Sequence, residues 1–498
     1  MVLLCQTIGA PLAIFGNRLP TGFPHHRLDA EAHVTQDTTV ACGVSEEETM
    51  KFASSARLAA VITAAALALT ACGGGGNDSG GAVDGKGKKL SVLVGVNAHY
   101  SAQQKEWFKD IGAKFKAQTG ADIEFETFAS ANDELTRIQT SVVSGQGPDV
   151  YSLGTTFTPT AYATQAFVTL TDDDWKKIGG KDRFNPAALG ISGPDAEHQA
   201  GIPFVSRPFV MAYNKELLAA AGIEKPATTW DELAQQAKKL TNPATGTFGL
   251  ATGYKDNFDP WKFIWAMSVQ AGNPLVDGKT LKLDDPSVKK AYETYFGWLT
   301  KDKVVDPSAV GWSNSNAVAA FAAGKSAYLM MTTSSSVPTL EKSSVAGKYA
   351  YATMPTTAPG ETAPKGDGDK AASILSGDNV VVADYSKQKD LAFAYIKLIT
   401  SKEEQLNYQK IFGDLPANAE ALKSLTDPKL KPVVDAAGKS KATPFTGAWG
   451  DIQLALLNVT VQSVPDLSNG SVDESGLLNR IKDAQTKGQA SLDRAAKS

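Results

Sequence analysis

The residues most able to do chemistry sit in "AVAAFAAGKSAYLMMTTSSS", residues 317–336, where Ala319 through Ser326 reads A-x-x-x-x-G-K-S. With its first glycine relaxed to alanine, this is a phosphate-loop pattern. Such a loop needs a strand that delivers a glycine-rich turn, then a helix whose N-terminus supports the phosphate charge. Here the order is reversed. "NAVAAFAAG" reads as a helix and "SAYLMM" as the strand after it. Gly324 then belongs at a helix C-terminus, and Lys325 suits the negative end of that helix's dipole. The stretch is a turn, not a nucleotide site.

Other reactive side chains are scarce. The three cysteines are Cys5, Cys42 and Cys72, so the chain beyond Cys72 has no thiol for a disulfide, a metal or nucleophilic catalysis. His25, His26 and His33 precede Met50, which leaves His99 and His198, and no two histidines lie at metal-ligand spacing. Neither a metal site nor a cofactor is expected. A net charge of −4 offers no basic surplus for nucleic acid. At 498 residues, 42% hydrophobic and 20% charged, the chain is a soluble globular protein of two or three domains.

Residues 50–76, "MKFASSARLAAVITAAALALTACGGGG", carry an address. Lys51 and Arg57 lead into the apolar run Leu58–Ala71. That run falls short of the roughly 20 residues of a membrane span but suits a signal-peptide core. Leu69-Thr70-Ala71-Cys72 resembles the bacterial lipobox, whose cysteine is acylated and becomes the mature N-terminus. Residues 72–88 read as a lipidated, glycine-rich tether. A signal peptide must lead, so Met50 is expected to be the true start and 1–49 a disordered, over-extended N-terminus.

The elements that must position any site alternate. "LSVLVGV" is a buried strand. "SAQQKEWFKDIGAKFKAQTG" is a helix with Trp107, Phe108, Ile111 and Phe115 on one face. "ADIEFETF" is a strand, "NDELTRIQTSVVSGQG" a helix and "PDVYSL" a strand. This β-α-β-α-β order predicts a largely parallel α/β sheet. Thr229 and Glu232 sit at capping-box spacing. Residues 247–280 read as a loop-rich aromatic segment, and 356–370, "TTAPGETAPKGDGDK", as an exposed connection.

Several blocks carry a resemblance, in order along the chain. "SGQGPDV" (144–150) is similar to a G-x-x-P-D-V turn. "GIPFVSRPFVMAYNKELLAAAGIEKPATTWDELAQQAKKLT" (201–241) holds an apolar strand, Y-N-K, A-G-I and W-D-E-L. "KQKDLAFAYIKLITSKEEQLNYQKIFGDLPANAEAL" (387–422) ends in G-x-L-P-A. Together with the helix ending F-x-x-G-K-x-A, they resemble the extracellular solute-binding proteins of family 1, the sugar-binding receptors of ABC importers, over about 89–498. The resemblance implies a two-lobed, type II-like α/β fold with a hinge and an interlobe cleft. Lobe 1 would be 89–205 and 372–437, and lobe 2 would be 206–371 and 438–498. The lobe crossings are expected near Ser206, within the 356–371 loop, and before the last helices. It also implies a monomer without catalytic activity that captures a carbohydrate and delivers it to ABC permease subunits, held by its lipid at the outer face of the cell membrane. The alternatives are a lipid-anchored hydrolase such as a glycosidase, which needs two carboxylates roughly 5–10 Å apart, and a binding protein for a non-sugar solute.

Sugar sites combine aromatic faces with groups that hydrogen-bond hydroxyls. Trp107, Trp175, Trp230, Trp265 and Trp298 are read as core. Trp261 in "DNFDPWKFIWAM", Trp312 in "VGWSNSN" and Trp449 in "PFTGAWGDI" are the expected cleft aromatics. Polar candidates lie at strand C-terminal ends: Asn97, His99 and Tyr100, then Ser152 and Thr155, Arg207 at the hinge, and Asp378 with Asn379. Asp149 is read as organising its turn. Where the family shows a small residue and then a stacking Trp, this chain has Thr332-Thr333-Ser334, which puts Thr333 at the ligand and removes one stacking surface.

Overall fold

A computed structural model describes residues 83–256 and 258–497. Residues 1–49, the leader, Cys72 and most of the tether lie outside the described residues.

Two sheets organise the chain. The first has six strands in the order Leu415–Pro416, Ile202–Ser206, Gly377–Val382, Val150–Gly154, Lys89–Gly95 and Asp122–Phe128. The three N-terminal strands run parallel, as β-α-β-α-β requires. Gly377–Val382 then enters antiparallel between Val150–Gly154 and Ile202–Ser206. The sheet is therefore completed by segments more than 150 residues further along the chain, a topology that local periodicity does not reveal. The second sheet has the order Tyr349–Thr353, Val210–Asn214, Ser326–Thr332 and Phe248–Ala251, and its only parallel pair is the last.

The first core is aromatic. Helix Ser101–Thr119 buries Trp107, Ile111 and Phe115, while Phe108 stacks on Phe125 with centroids 4.2 Å apart. Trp107 meets Tyr408 edge-on at 5.3 Å. Each such ring taken from water contributes roughly 1.5–3 kcal/mol, which fixes helix to sheet. In the second core, Trp230 stacks on Trp298 and donates through Nε1 to Gln270 Oε1 at 2.7 Å. Thr229 caps helix Trp230–Leu240 by accepting from Glu232 N–H at 3.1 Å. Glu232 turns back to Thr228 N–H rather than to Thr229, so the capping box is only half formed.

Helix Asn314–Ala322 precedes strand Ser326–Thr332, and Gly324 between them has φ +73°. That left-handed turn suits glycine, and its N–H donates to Phe321 O at 2.8 Å. The flanking elements are those of a helix C-terminus.

The aromatic segment 247–280 is mostly regular, contrary to the loop expected there. It holds strand Phe248–Ala251 and helix Pro260–Gln270. All but one of that helix's residues are buried, so it shows no apolar stripe to betray its period.

The chain passes between the sheets after Ser206 and again between Ile374 and Gly377. The 356–371 loop, expected to carry the second passage, stays on the second lobe: Thr356 N–H donates to Thr228 O and Lys365 N–H to Gln270 O. At the actual passage, a Cβ on Gly377 would lie 1.9 Å from Val205 O, so only glycine fits. Helix Lys431–Ala437 buries Val433 and Ala436 with Val210, Phe321 and Tyr349, on the second lobe rather than the first. The last helices, Trp449–Ser468 and Glu474–Ala495, pack on one another and on the second lobe, and the start of the former also meets the first lobe at Thr160.

Candidate ligand cleft

A cavity of about 410 Å³ lies between the two sheets, lined from both. The first lobe supplies the loop after Lys89–Gly95 and the end of Val150–Gly154. The second supplies the turn before helix Pro260–Gln270, the start of Asn314–Ala322 and the end of Ser326–Thr332. Met331 lines the cavity with φ +49°, next to a register shift between Val210 and Ala212. A strained non-glycine residue at a bulge re-aims the chain locally, here at the cleft wall.

The lining includes Asn97, His99, Tyr100, Ser152, Thr155, Arg207, Trp261, Thr333 and Asp378. Several already have work within the protein. Asn97 Oδ1 accepts from the N–H groups of His99 and Tyr100, ordering the turn into helix Ser101–Thr119. Thr333 Oγ1 accepts from Ser335 N–H. The Tyr100 hydroxyl donates to Ser335 O at 2.6 Å, across the lobes. His99 Nε2 lies 3.5 Å from Ser315 Oγ, also across the lobes. Burial lowers the His99 pKa below that of a free imidazole, against the pull of Asp256.

Three of the expected residues lie off the cavity. Asn379 is 1% exposed and bonds to Thr158 Oγ1 and Ile191 O. Asp378 and Val380 beside it line the cleft, and alternation along a strand sends Asn379 to the other face. Trp312 ends a short 3₁₀ turn and packs, half-buried, against the second lobe's apolar clusters. Trp449 is 0% exposed and stands behind Trp261, edge-on at 5.8 Å. Trp261 itself is only 2% exposed.

Most of the charges in the cleft are held within the protein; the exposed Lys255, which also lines it, has no acid partner among the described residues. Arg207 donates to Asp378 at 2.6 Å and to both oxygens of Asp414 at 3.0 and 2.8 Å. Burial opposes the Arg207 charge, but the two carboxylates outweigh it and hold its pKa well above the ordinary value. Burial likewise pushes Asp414 up, against Arg207. Lys262 pairs with Asp259 and lies 4.3 Å over the Phe209 ring. Asp256 accepts from the backbone of Phe258, Asp259 and Asn314. Glu134 accepts from Gly154 N–H at 2.8 Å, and burial pushes its carboxyl well above the usual range.

Sequence reasoning missed Glu134, Asp256, Asp259, Lys262, Asn314, Asp414 and Gln453. The polar run before Trp261 and the "SNSN" after Trp312 were visible signals. Gln453 was a weaker one, a lone amide in the apolar helix "DIQLALL".

The fold and the cleft define a two-lobed solute-binding protein. Residues 101–406 match the profile of the bacterial extracellular solute-binding protein family, and the chain belongs to that family. It is an extracytoplasmic transport component rather than an enzyme. A diacetylchitobiose binding protein of Streptomyces coelicolor, DasA, is 27% identical over 70% of this chain and 79% of its own length. A solute-binding protein of an ABC transporter from Agrobacterium radiobacter, solved with ribitol, shares the fold with a TM-score of 0.68 at 21% identity, covering 82% of this chain and 99% of that one. Another, from Thermotoga lettingae with α-D-tagatose, gives 0.67 at 19%, covering 81% and 100%.

Proposed function

We propose that this chain captures an uncharged carbohydrate in the interlobe cleft and passes it to the membrane subunits of an ABC importer. The observation that carries the reading is the pairing of Arg207 and Lys262 with cleft acids around a cavity walled by Trp261 and by hydroxyl and amide groups. Its 410 Å³ falls within the roughly 300–1,000 Å³ of small-molecule sites. A zwitterionic solute would need a free cation facing a free carboxylate, whereas Arg207 and Lys262 already face acids and the exposed Lys255 is the one lining cation with no acid partner among the described residues. Hydrolysis would need two disengaged carboxyl groups; Asp378 and Asp414 are held by Arg207, Asp259 by Lys262 and Asp256 by three backbone N–H groups, which leaves Glu134 without a second. The diacetylchitobiose, ribitol and tagatose named for the relatives support the same ligand class.

The test is thermal unfolding with ribitol, D-tagatose, maltose, diacetylchitobiose, amino acids and polyamines. A sugar at 100 times its Kd stabilises by about 2.7 kcal/mol. A shift with amino acids and with no sugar would overturn the reading. Membrane attachment through Cys72 is part of the proposal, supported by the register of leader, apolar run and lipobox. Cys72→Ala should release the protein from the membrane fraction; unchanged attachment would reject that part.

A further inference from the structure

Three residues lining the cleft keep a polar atom from water with nothing to bond, Trp107, Thr155 and Gln453; the Trp107 ring is packed in the first core against Phe108 and Tyr408, which leaves the other two. Thr155 and Gln453 are 6% and 2% exposed, and neither Thr155 Oγ1 nor Gln453 Oε1 has a partner. An unsatisfied buried polar group costs about 1–3 kcal/mol; twelve side-chain atoms stand so among the described residues, and these two are the only oxygens of that set on residues that line the cavity. Both residues line the one cavity, although they come from distant parts of the chain. Thr155 directly follows strand Val150–Gly154 of the first sheet, and Gln453 lies in the first turns of helix Trp449–Ser468.

Contacts of that helix and the turn before it set its first turns against the first lobe. The Thr160 hydroxyl donates to Gly447 O at 3.1 Å and accepts from Gly450 N–H at 3.2 Å. At Gly450 the approach is so close that a Cβ would lie 2.8 Å from Thr160 Oγ1, 3.3 Å from Phe157 and 3.4 Å from Leu135. One turn on, Gln453 lines the same cavity as Glu134, Gly154, Thr155 and Phe157.

We propose that Thr155 and Gln453 form a specificity-determining subsite that hydrogen-bonds a neutral hydroxyl group at one end of the bound solute. The proposal rests on the carbohydrate reading and adds where the sugar is read. A hydroxyl can donate to Gln453 Oε1 and exchange a hydrogen bond with the Thr155 hydroxyl, satisfying both orphaned atoms at once. A carboxylate or phosphate would bring acceptors only, and the guanidinium lining the same cavity is already engaged by Asp378 and Asp414. Burial also favours the neutral form of Glu134, which suits an uncharged guest.

The experiment titrates wild type, Thr155→Val and Gln453→Leu with whichever of ribitol, D-tagatose, maltose or diacetylchitobiose stabilises the wild-type protein. Calorimetry gives the affinity, and thermal unfolding of the empty proteins runs in parallel. Each variant is expected to bind at least tenfold more weakly. Its empty-state Tm should be equal or higher, because an apolar isostere relieves an unpaired buried polar atom. Wild-type affinity in either variant overturns the subsite, and so does a large fall in empty-state Tm, which would mark the side chain as structural. If none of the four sugars stabilises wild type, the carbohydrate reading falls and the subsite with it. If wild type binds and the variants bind equally well, the subsite alone falls.

Discussion

Arg207 joins two carboxylates from separate passages of the chain: Nη1 reaches Asp378 Oδ1 at 2.6 Å, while Nε and Nη2 grip Asp414 at 3.0 and 2.8 Å. Arg207 follows the first sheet's strand Ile202–Ser206, Asp378 lies in the strand by which the chain returns, and Asp414 precedes strand Leu415–Pro416. One guanidinium thus ties three strands where the lobes meet. Its planar fork suits the bidentate grip on Asp414, which an ammonium would not reproduce.

Removing one partner of a buried ion pair leaves a charge without compensation, which costs about 3–5 kcal/mol. Asp414 is 2% exposed, so Arg207→Ala is expected to lose about 3 kcal/mol of unfolding free energy, and Arg207→Lys should recover less than half of that. Urea denaturation measures both. A loss below about 1 kcal/mol for the alanine variant would show that the three strands do not depend on this knot.

Glu134 gives a pH dependence with a definite sign. Burial raises its folded-state pKa well above the ordinary carboxyl value of 4.5, against the Gly154 N–H that favours the charged form. Its contribution to stability is therefore fully present below pH 4.5 and is lost as pH rises through the folded pKa. Glu134→Gln cannot ionise, so its stability relative to wild type should increase from pH 5 to pH 8. Urea unfolding at both values checks this, and a difference that shrinks over that range would contradict it.

Trp449 lies wholly inside the second core, in contact with Trp261. Trp449→Ala is expected to cost about 3–5 kcal/mol, the range for emptying a buried aromatic site. The melting temperature of the empty protein should fall accordingly. An unchanged Tm with weakened sugar binding would instead return Trp449 to the cleft.

The contrast between Trp449 and Arg207 shows what a single sequence can deliver. The alternation of strands and helices before residue 155 was legible because each helix there is half-exposed and keeps an apolar period, as Trp107, Ile111 and Phe115 do. Arg207 was legible because it stands at the end of a short apolar strand. The buried helix Pro260–Gln270 was not, since nearly all its side chains are inside and its hydrophobicity has no direction. For the same reason Trp449 could not be told from a cleft aromatic: core and stacking surface ask for the same residue. Gln453 escaped notice because its meaning depends on what it fails to touch, and only the folded arrangement shows that.

Tyr100 offers the last test, on closure rather than contact. Its hydroxyl donates to Ser335 O at 2.6 Å and meets Thr339 Oγ1 at 3.0 Å. Tyr100 belongs to the turn after the first lobe's strand Lys89–Gly95, while Ser335 and Thr339 follow the second lobe's strand Ser326–Thr332. The bond exists only when the lobes stand as they do here. A net hydrogen bond contributes about 0.5–1.5 kcal/mol, so deleting the hydroxyl alone should shift the balance toward separated lobes by about fivefold. Tyr100→Phe keeps the ring and its packing near Phe412, 6.3 Å away. The variant is expected to bind sugar about fivefold more weakly, mainly through faster release, because small interface changes act chiefly on dissociation. Stopped-flow release kinetics and small-angle scattering of the empty protein measure the two consequences. Equal release rates, with no change in the scattering radius, would mean that the hydroxyl does not hold the lobes together.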